Sequence, residues 1–317
     1  MRAHKVRCMV NLKGRDILSI ADLSKDEIYA ILEETKRLKK LSFKDGSSLL
    51  QGRVLGLLFE KPSTRTRTSF EVAMFRLGGN AIYLRSDELQ LRRGEPIKDT
   101  ARVLSQYLSG LVIRIHEQET LDQFAEHSEI PIINGLSELE HPSQILCDLY
   151  TILEVKGNLK GLKLAWIGDG NNVCNSWLLG CGIIGMDMVV ACPRGYEPNT
   201  RILKMAREYA AISTSKLSVV NNPREAVKDA DVLYTDVWVS MGQEEEVKER
   251  RRAFEGYRID NALIKGAKDD AIVMHCLPAH RGMEITDEAL EGKQSVIWRQ
   301  SENKLHGAKA ILSSIIP

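Results

Sequence analysis

Short apolar runs of strand length alternate with segments of helical period along most of the chain. No other feature narrows the possible folds as much. In the first half, Val54-Leu-Gly-Leu-Leu58, Asn80-Ala-Ile-Tyr-Leu84, Leu111-Val-Ile-Arg-Ile115 and Pro131-Ile-Ile133 read as strands. In the second half, Leu162–Ile167, Met188–Ala191, Asp231–Thr235 and Ala271–His275 read the same way. Helical patterns lie between them. Ser24-Lys-Asp-Glu27 is a capping box, and Ile28, Ile31, Leu32 and Leu38 then line one face. Ser69–Leu77 is closed by Gly78-Gly79. A further helix carries Ala101, Val103, Leu104 and Leu108, another spans about Thr120 to Ser128, and a long one starts at His141-Pro142. Lys44–Ser48 and Arg85–Pro96 read as loops. Regular alternation implies parallel sheets covered on both faces.

Gly157-Asn-Leu-Lys-Gly161 separates the two series, and 317 residues is a length for about two domains. The expected fold is α/β, with two doubly wound parallel-sheet domains and the active site in the cleft between them. The expected boundaries are 1–150 and 151–301, with an amphipathic last helix, 302–317, packing back on the first domain.

In such folds ligands sit beyond the carboxyl ends of the strands, so the polar residues there are the candidates. Phe59-Glu-Lys-Pro-Ser-Thr-Arg-Thr-Arg-Thr-Ser-Phe70 follows the first strand, and its hydroxyls and arginines fall where a helix begins. Unpaired N–H groups at a helix start hold anions, with Ser63, Thr64 and Thr66 as short donors and Arg65 and Arg67 as forked ones. The plainer alternative is a capped helix with solvated arginines. By the same rule Arg114, His141, Gln144, Asn171, Asn172, Asp236, Ser240-Met241-Gly242 and His275-Cys276-Leu277-Pro278 face one rim. Singly, His141 reads as a helix cap, Asp236 as a turn residue, Asn172 as a cap and Cys276 as a small buried hydrophobe. Their convergence has no such plain account.

Composition excludes several classes. A net charge of +1 gives no basic excess for a polyanion or an acidic membrane, and Arg92-Arg93 and Arg250-Arg251-Arg252 read as solvated faces. No apolar run approaches the roughly 20 residues of a membrane span, and Met1–Val10 lacks a signal-peptide core. Six cysteines are scattered without a Cys-x-x-Cys pair, which fits a reducing, cytoplasmic setting with no metal site. The turn Gly168-Asp-Gly-Asn-Asn172 invites a nicotinamide-dependent oxidoreductase, with Arg194 placed for a 2′-phosphate. However, Val173 stands where the third glycine belongs.

Phe59-Glu-Lys-Pro-Ser-Thr-Arg-Thr-Arg67 and His141-Pro-Ser-Gln144 resemble the signatures of the aspartate/ornithine carbamoyltransferases. Asp236-Val-Trp-Val-Ser-Met-Gly242 and His275-Cys-Leu-Pro278 resemble the ornithine branch, whereas the aspartate, putrescine and N-acetylornithine branches depart from them. The resemblance covers nearly the full length and implies transfer of a carbamoyl group from carbamoyl phosphate to L-ornithine, with no cofactor. It implies that Ser63, Thr64, Arg65 and Thr66 hold the phosphate, and that Arg114, His141 and Gln144 surround the carbamoyl group. Arg114 and His141 would act on the oxyanion. Cys276, paired with Asp236, would lie by the reacting amine as base or positioning group, and Leu277 and Lys304 would complete the carbamoyl-phosphate set. Asn172, Asp236, Ser240 and Met241 would hold ornithine. Gln90 would reach a neighbouring subunit's site in a homotrimer or a multiple of trimers. One departure stands out. The family pattern Glu-Asn-Arg is Glu302-Asn303-Lys304 here, so the planar fork is lost, and Arg299 replaces an acid. A non-catalytic relative that binds carbamoyl phosphate or an amino acid is the competing class.

Overall fold

The computed structural model describes residues 11–239 and 246–317. It contains two parallel sheets. Strands β1 (Val54–Phe59), β2 (Asn80–Arg85), β3 (Gly110–Arg114) and β4 (Ile132–Leu136) form the first, in the order β2-β1-β3-β4. Strands β5 (Lys163–Ile167), β6 (Asp187–Ala191), β7 (Leu217–Val220), β8 (Val232–Thr235) and β9 (Ile272–His275) form the second, in the order β7-β6-β5-β8-β9. All the pairings within each sheet are parallel. Each sheet is doubly wound, reversing direction between β1 and β3 and between β5 and β8. Those two points are where such sheets open a crevice.

The capping box at Ser24 forms as the sequence implies, with Ser24 and Glu27 bonded reciprocally, and Ile28, Ile31, Leu32 and Leu38 are all fully buried. Other boundaries shift. The helix after β1 begins at Thr64, so the hydroxyl-rich motif forms its first turn instead of preceding it. The last helix begins at Ile297, not near Glu302. A short helix, Phe43–Gly46, and two 3₁₀ turns, Ser86–Glu88 and Gln90–Arg93, replace expected loops. Strand β7 was not expected, because an edge strand half exposed on both faces has no clean alternation. Val103, read as core, is 47 % exposed on the helix Ile97–Tyr107.

One apolar core runs between the sheets, shared by the helices Lys25–Lys40, Pro142–Lys156, Asn172–Ile184 and Ile297–Ile315. Trp166 and Tyr234 stack within it at 5.2 Å, from neighbouring strands β5 and β8. The last helix lies along Pro142–Lys156 because Gly307 lets it approach. A Cβ there would come within 2.4 Å of the Cys147 sulfur. Lys309 Nζ donates to the Leu38 carbonyl at 2.6 Å, tying the same helix to the first one. Among the described residues no helix is long and apolar enough to cross a membrane.

Candidate active site

A cleft of about 900 Å³ opens between the two sheets at the carboxyl ends of their strands. Register explains what converges there. Phe59 and Arg114 are partners across β1 and β3, so Arg114 ends level with the segment that carries Ser63–Thr66. Thr235 and His275 are partners across β8 and β9, so Asp236 and Cys276 leave their strands side by side. Asp236 Oδ1 accepts from Cys276 Sγ at 3.0 Å and Oδ2 from Asn171 Nδ2 at 2.8 Å.

The phosphate side is a helix start kept open. Ser63 is the N-cap of Thr64–Arg76, yet its side chain makes no capping bond, and the first turn holds no acid. The first backbone N–H groups and the Ser63 hydroxyl therefore face the cleft without a local acceptor. Arg65 lines the cleft and Arg67 does not. Arg67 instead pairs with Glu71 at 3.2 Å and lies over the Tyr83 ring at 3.6 Å. Two residues apart on a helix means about 200° of rotation, so only one of the pair can serve the site.

Three cations meet a neutral imidazole. Burial lowers the Arg65 and Lys304 pKa values, and burial together with Arg65 brings Arg114 down to about 10. Arg114 Nε is buried and has no hydrogen-bond partner among the described residues. His141 stands at the N-cap position of Pro142–Lys156 without a side-chain capping bond, is 4 % exposed, and is held neutral by burial and by Lys304 and Arg114. Gln144, one turn on, donates to Asp148 at 2.9 Å and accepts from the Lys304 ammonium. Cations gathered in this way, Lys304 buried and Arg65 and Arg114 partly so, call for an anion.

On the other wall Asn172 donates to the Ser137 carbonyl at 2.6 Å, bridging the two halves, while Asn171 caps the helix Asn172–Ile184. Leu277 adopts a left-handed φ of 59° between Cys276 and Pro278, and its N–H is held by His275 Nδ1 at 2.8 Å. His275 Nε2 meets Glu284 at 3.0 Å, so the ring is fixed as the Nε2–H tautomer. Asp236, His275 and Cys276 hold their donor atoms within 4.8 Å of one another, as metal ligands would. Both His275 nitrogens and both Asp236 oxygens are already engaged by protein groups, which makes this a hydrogen-bonded set.

The cleft thus gathers Ser63, Thr64, Arg65, Thr66, Arg114, His141, Gln144, Asn172, Asp236, Cys276, Leu277 and Lys304. Gln90 is not among its lining residues and is exposed in its 3₁₀ turn. Ser240 and Met241 lie outside the described residues. Asn171, named with Asn172 in the sequence, also lines the cleft, and the structure adds His280 and Arg251, whose chain positions carry no signal.

One expectation is corrected, and one alternative that the sequence already disfavoured is excluded. Arg250 is not a solvated residue. It is buried and bonds Asp169 at 2.9 Å, the Trp238 carbonyl at 3.0 Å and Glu246 at 2.7 Å. Asp169 is itself buried, so the pair forms by mutual need. The Gly168–Gly170 turn is not a dinucleotide cradle. A Cβ on Gly170 would lie 2.2 Å from the Pro198 nitrogen, so the Glu197-Pro198 backbone occupies the space a pyrophosphate needs.

Comparison with known proteins agrees with this geometry. Residues 15–154 match the family described as aspartate/ornithine carbamoyltransferase, carbamoyl-P binding domain, and residues 160–315 match its Asp/Orn binding domain. An ornithine carbamoyltransferase of Archaeoglobus fulgidus is 54% identical over 95% of this chain and 97% of its own. The solved structure of an ornithine carbamoyltransferase from Pyrococcus furiosus superposes with a TM-score of 0.93 at 48% identity, covering 97% of this chain and 98% of that one. That of Thermus thermophilus gives 0.86 at 40% identity, over 95% and 99%. With both halves matched in order, the chain belongs to the aspartate/ornithine carbamoyltransferase family.

Proposed function

We propose that the protein transfers the carbamoyl group of carbamoyl phosphate to the side-chain amine of L-ornithine, giving L-citrulline and phosphate. The observation that carries this reading is the convergence of Arg65, Arg114 and Lys304 on an uncapped helix start, with a buried Arg114 Nε that has no partner among the described residues. Ser63, Thr64, Arg65 and Thr66 hold the phosphate. Gln144, Leu277 and Lys304 border the carbamoyl end. Arg114 and neutral His141 donate to the carbonyl oxygen as the amine attacks and the oxyanion forms. The new C–N bond replaces the C–O bond to phosphate, and the proton given up by the amine nitrogen goes to the departing phosphate, which leaves as the hydrogenphosphate dianion.

The acceptor lies against Asn172 and Asp236, with Ser240 and Met241 completing its contacts. A free alkyl amine has a pKa near about 10.4, so the site must take the neutral form or strip its proton. Burial and Asp236 push the Cys276 thiol far above its ordinary range, and the thiol donates to Asp236. Cys276 therefore acts as a positioning donor in this role, not as a thiolate base. On this reading residues 1–150 form the carbamoyl-phosphate domain and 151–301 the ornithine domain, with the last helix returning to the first. The functional unit is a homotrimer or a multiple of trimers, with Gln90 serving a neighbour's cleft.

The test is product formation from carbamoyl phosphate with ornithine, putrescine, N-acetylornithine or aspartate offered separately. Citrulline from ornithine alone is expected. Turnover of a different amine would overturn the roles given to Asp236 and Asn172. No turnover with any of them would leave a binding protein.

A further inference from the structure

Asp148 does not line the cleft, yet its carboxylate is where the two halves of the site meet. It lies one turn beyond Gln144 on Pro142–Lys156 and is 0 % exposed. Its Oδ1 accepts from Gln144 Nε2 at 2.9 Å and from Gln300 Nε2 at 2.9 Å, and its Oδ2 accepts from Tyr234 Oη at 2.6 Å. These donors come from three elements: its own helix, the helix Ile297–Ile315 and strand β8. Gln300 also accepts the backbone N–H of His275 at 3.0 Å, one residue before Cys276. Tyr234 stands two residues before Asp236 and is clamped between Trp166 and Trp177 at 5.2 and 5.5 Å.

An ionised carboxylate only accepts, so it draws in the donor end of each amide. Gln144 must then present its Oε1 outward, where the Lys304 ammonium meets it. Without that constraint an amide can turn over and offer NH₂ to the cleft. A buried acid is a costly way to join three elements that apolar side chains could pack. What apolar packing cannot supply is this orientation.

We infer that Asp148 is a positioning residue that holds the acceptor side of the cleft in register with the donor side, through Gln144 on one hand and Tyr234 and Gln300 on the other. This inference rests on the carbamoyl-transfer reading. The ionised form is the competent one. Burial raises the Asp148 pKa to about 6, while Tyr234, Gln300, Gln144 and the Lys304 ammonium hold it down. Cys147 on its own helix and Cys276 across the cleft also face it, both as neutral thiols at neutral pH. Activity should therefore fall as pH drops through about 6.

The experiment compares the full-length protein with Asp148→Asn and Tyr234→Phe, measuring kcat and both KM values from acidic to neutral pH. Asp148→Asn should lower kcat by about tenfold to a hundredfold with smaller changes in KM, because bound substrates are misaligned. It should also abolish the acid limb. Tyr234→Phe removes one donor, so its limb should move to higher pH, a shift that a purely structural role would not cause. If Asp148→Asn keeps kcat within about twofold, or the Tyr234→Phe limb stays in place, the inference is overturned. If Asp148→Asn fails to fold, the Tyr234→Phe limb alone decides. Failure of the underlying reading is distinguishable, since the unaltered protein would then make no citrulline.

Discussion

Lys304 keeps the charge of the family's arginine but none of its geometry. Its ammonium is buried in the cleft wall and spends one of three donors on Gln144. A charge-assisted hydrogen bond is worth about 1.5–3 kcal/mol, so Lys304→Gln should weaken carbamoyl-phosphate binding by roughly tenfold to a hundredfold. Lys304→Arg should stay within a few-fold of the parent. Calorimetric titration over a range of alkaline pH separates the two cations further. Burial lowers the Lys304 pKa, so its charge is lost at lower pH than that of a free lysine. Binding should weaken on the alkaline side, and Lys304→Arg should move that loss to higher pH. A loss that starts at the same pH in both proteins would assign it to another group. Residue identity was well legible here, and residue orientation was not. Ser63–Arg67 marks a candidate anion site, but which arginine lines the cleft depends on where the helix begins. The helix starts at Thr64, and Ser63 just ahead of it makes no side-chain capping bond that would mark that start. Arg250 was misread for the opposite reason, because its partner Asp169 lies far off in sequence and only the fold brings them together.

At the scale of elements, the junction between β4 and the helix Pro142–Lys156 depends on Glu140. Its buried carboxyl accepts from Ser19 Oγ, from the Ile20 N–H at 3.2 Å and from Ser176 Oγ at 3.0 Å. It thereby pins the N-terminal segment and the helix Asn172–Ile184 against the turn that presents His141. Burial raises its pKa from 4.5 to about 7. The folded state therefore holds this proton more tightly than the unfolded chain. That stabilisation is fully present below about 4.5 and is lost as pH rises through about 7, up to about 3 kcal/mol in all. Glu140→Gln removes the linkage. Melting temperatures of the parent and Glu140→Gln, measured from about pH 5 to about pH 8, should show the parent losing several degrees more than the variant. Parallel curves would mean that Glu140 is not the titrating group. Nothing in Ser137-Glu-Leu-Glu140 marks this acid, because its partners come from distant parts of the chain. Elements with their own local signals, such as the Ser24 capping box and Pro142 in a helical first turn, were read correctly. Strand β7, whose pattern is blurred by partial exposure, was not.

For the whole molecule, the sequence alternation was enough to specify two doubly wound sheets, since each strand–helix unit follows local rules of length and handedness. It could not show that one strand end supplies residues to its own cleft while the next loop points away. Strand β2 is the outer strand of the first sheet, and Gln90 follows it in an exposed turn outside its own cleft. Ile82 on the same strand and Val103 and Tyr107 on the helix Ile97–Tyr107 leave apolar side chains 48, 47 and 72 % exposed. A subunit contact on this side would cover them and carry Gln90 toward a neighbour. Light scattering should then give about three times the chain mass or a multiple of it. A mixing experiment tests the sharing itself. Arg65→Ala removes a group from a subunit's own cleft, whereas Gln90→Ala removes one it lends. Each variant alone should be nearly inactive. When equal amounts are dissociated and reassembled together, a cleft is whole only if a Gln90→Ala subunit receives the loop of an Arg65→Ala subunit. With random cyclic assembly that holds for about a quarter of the clefts, so about a quarter of the parent activity should return. If both groups served the same subunit's cleft, mixing could restore nothing, and Gln90 would have no place in a shared site.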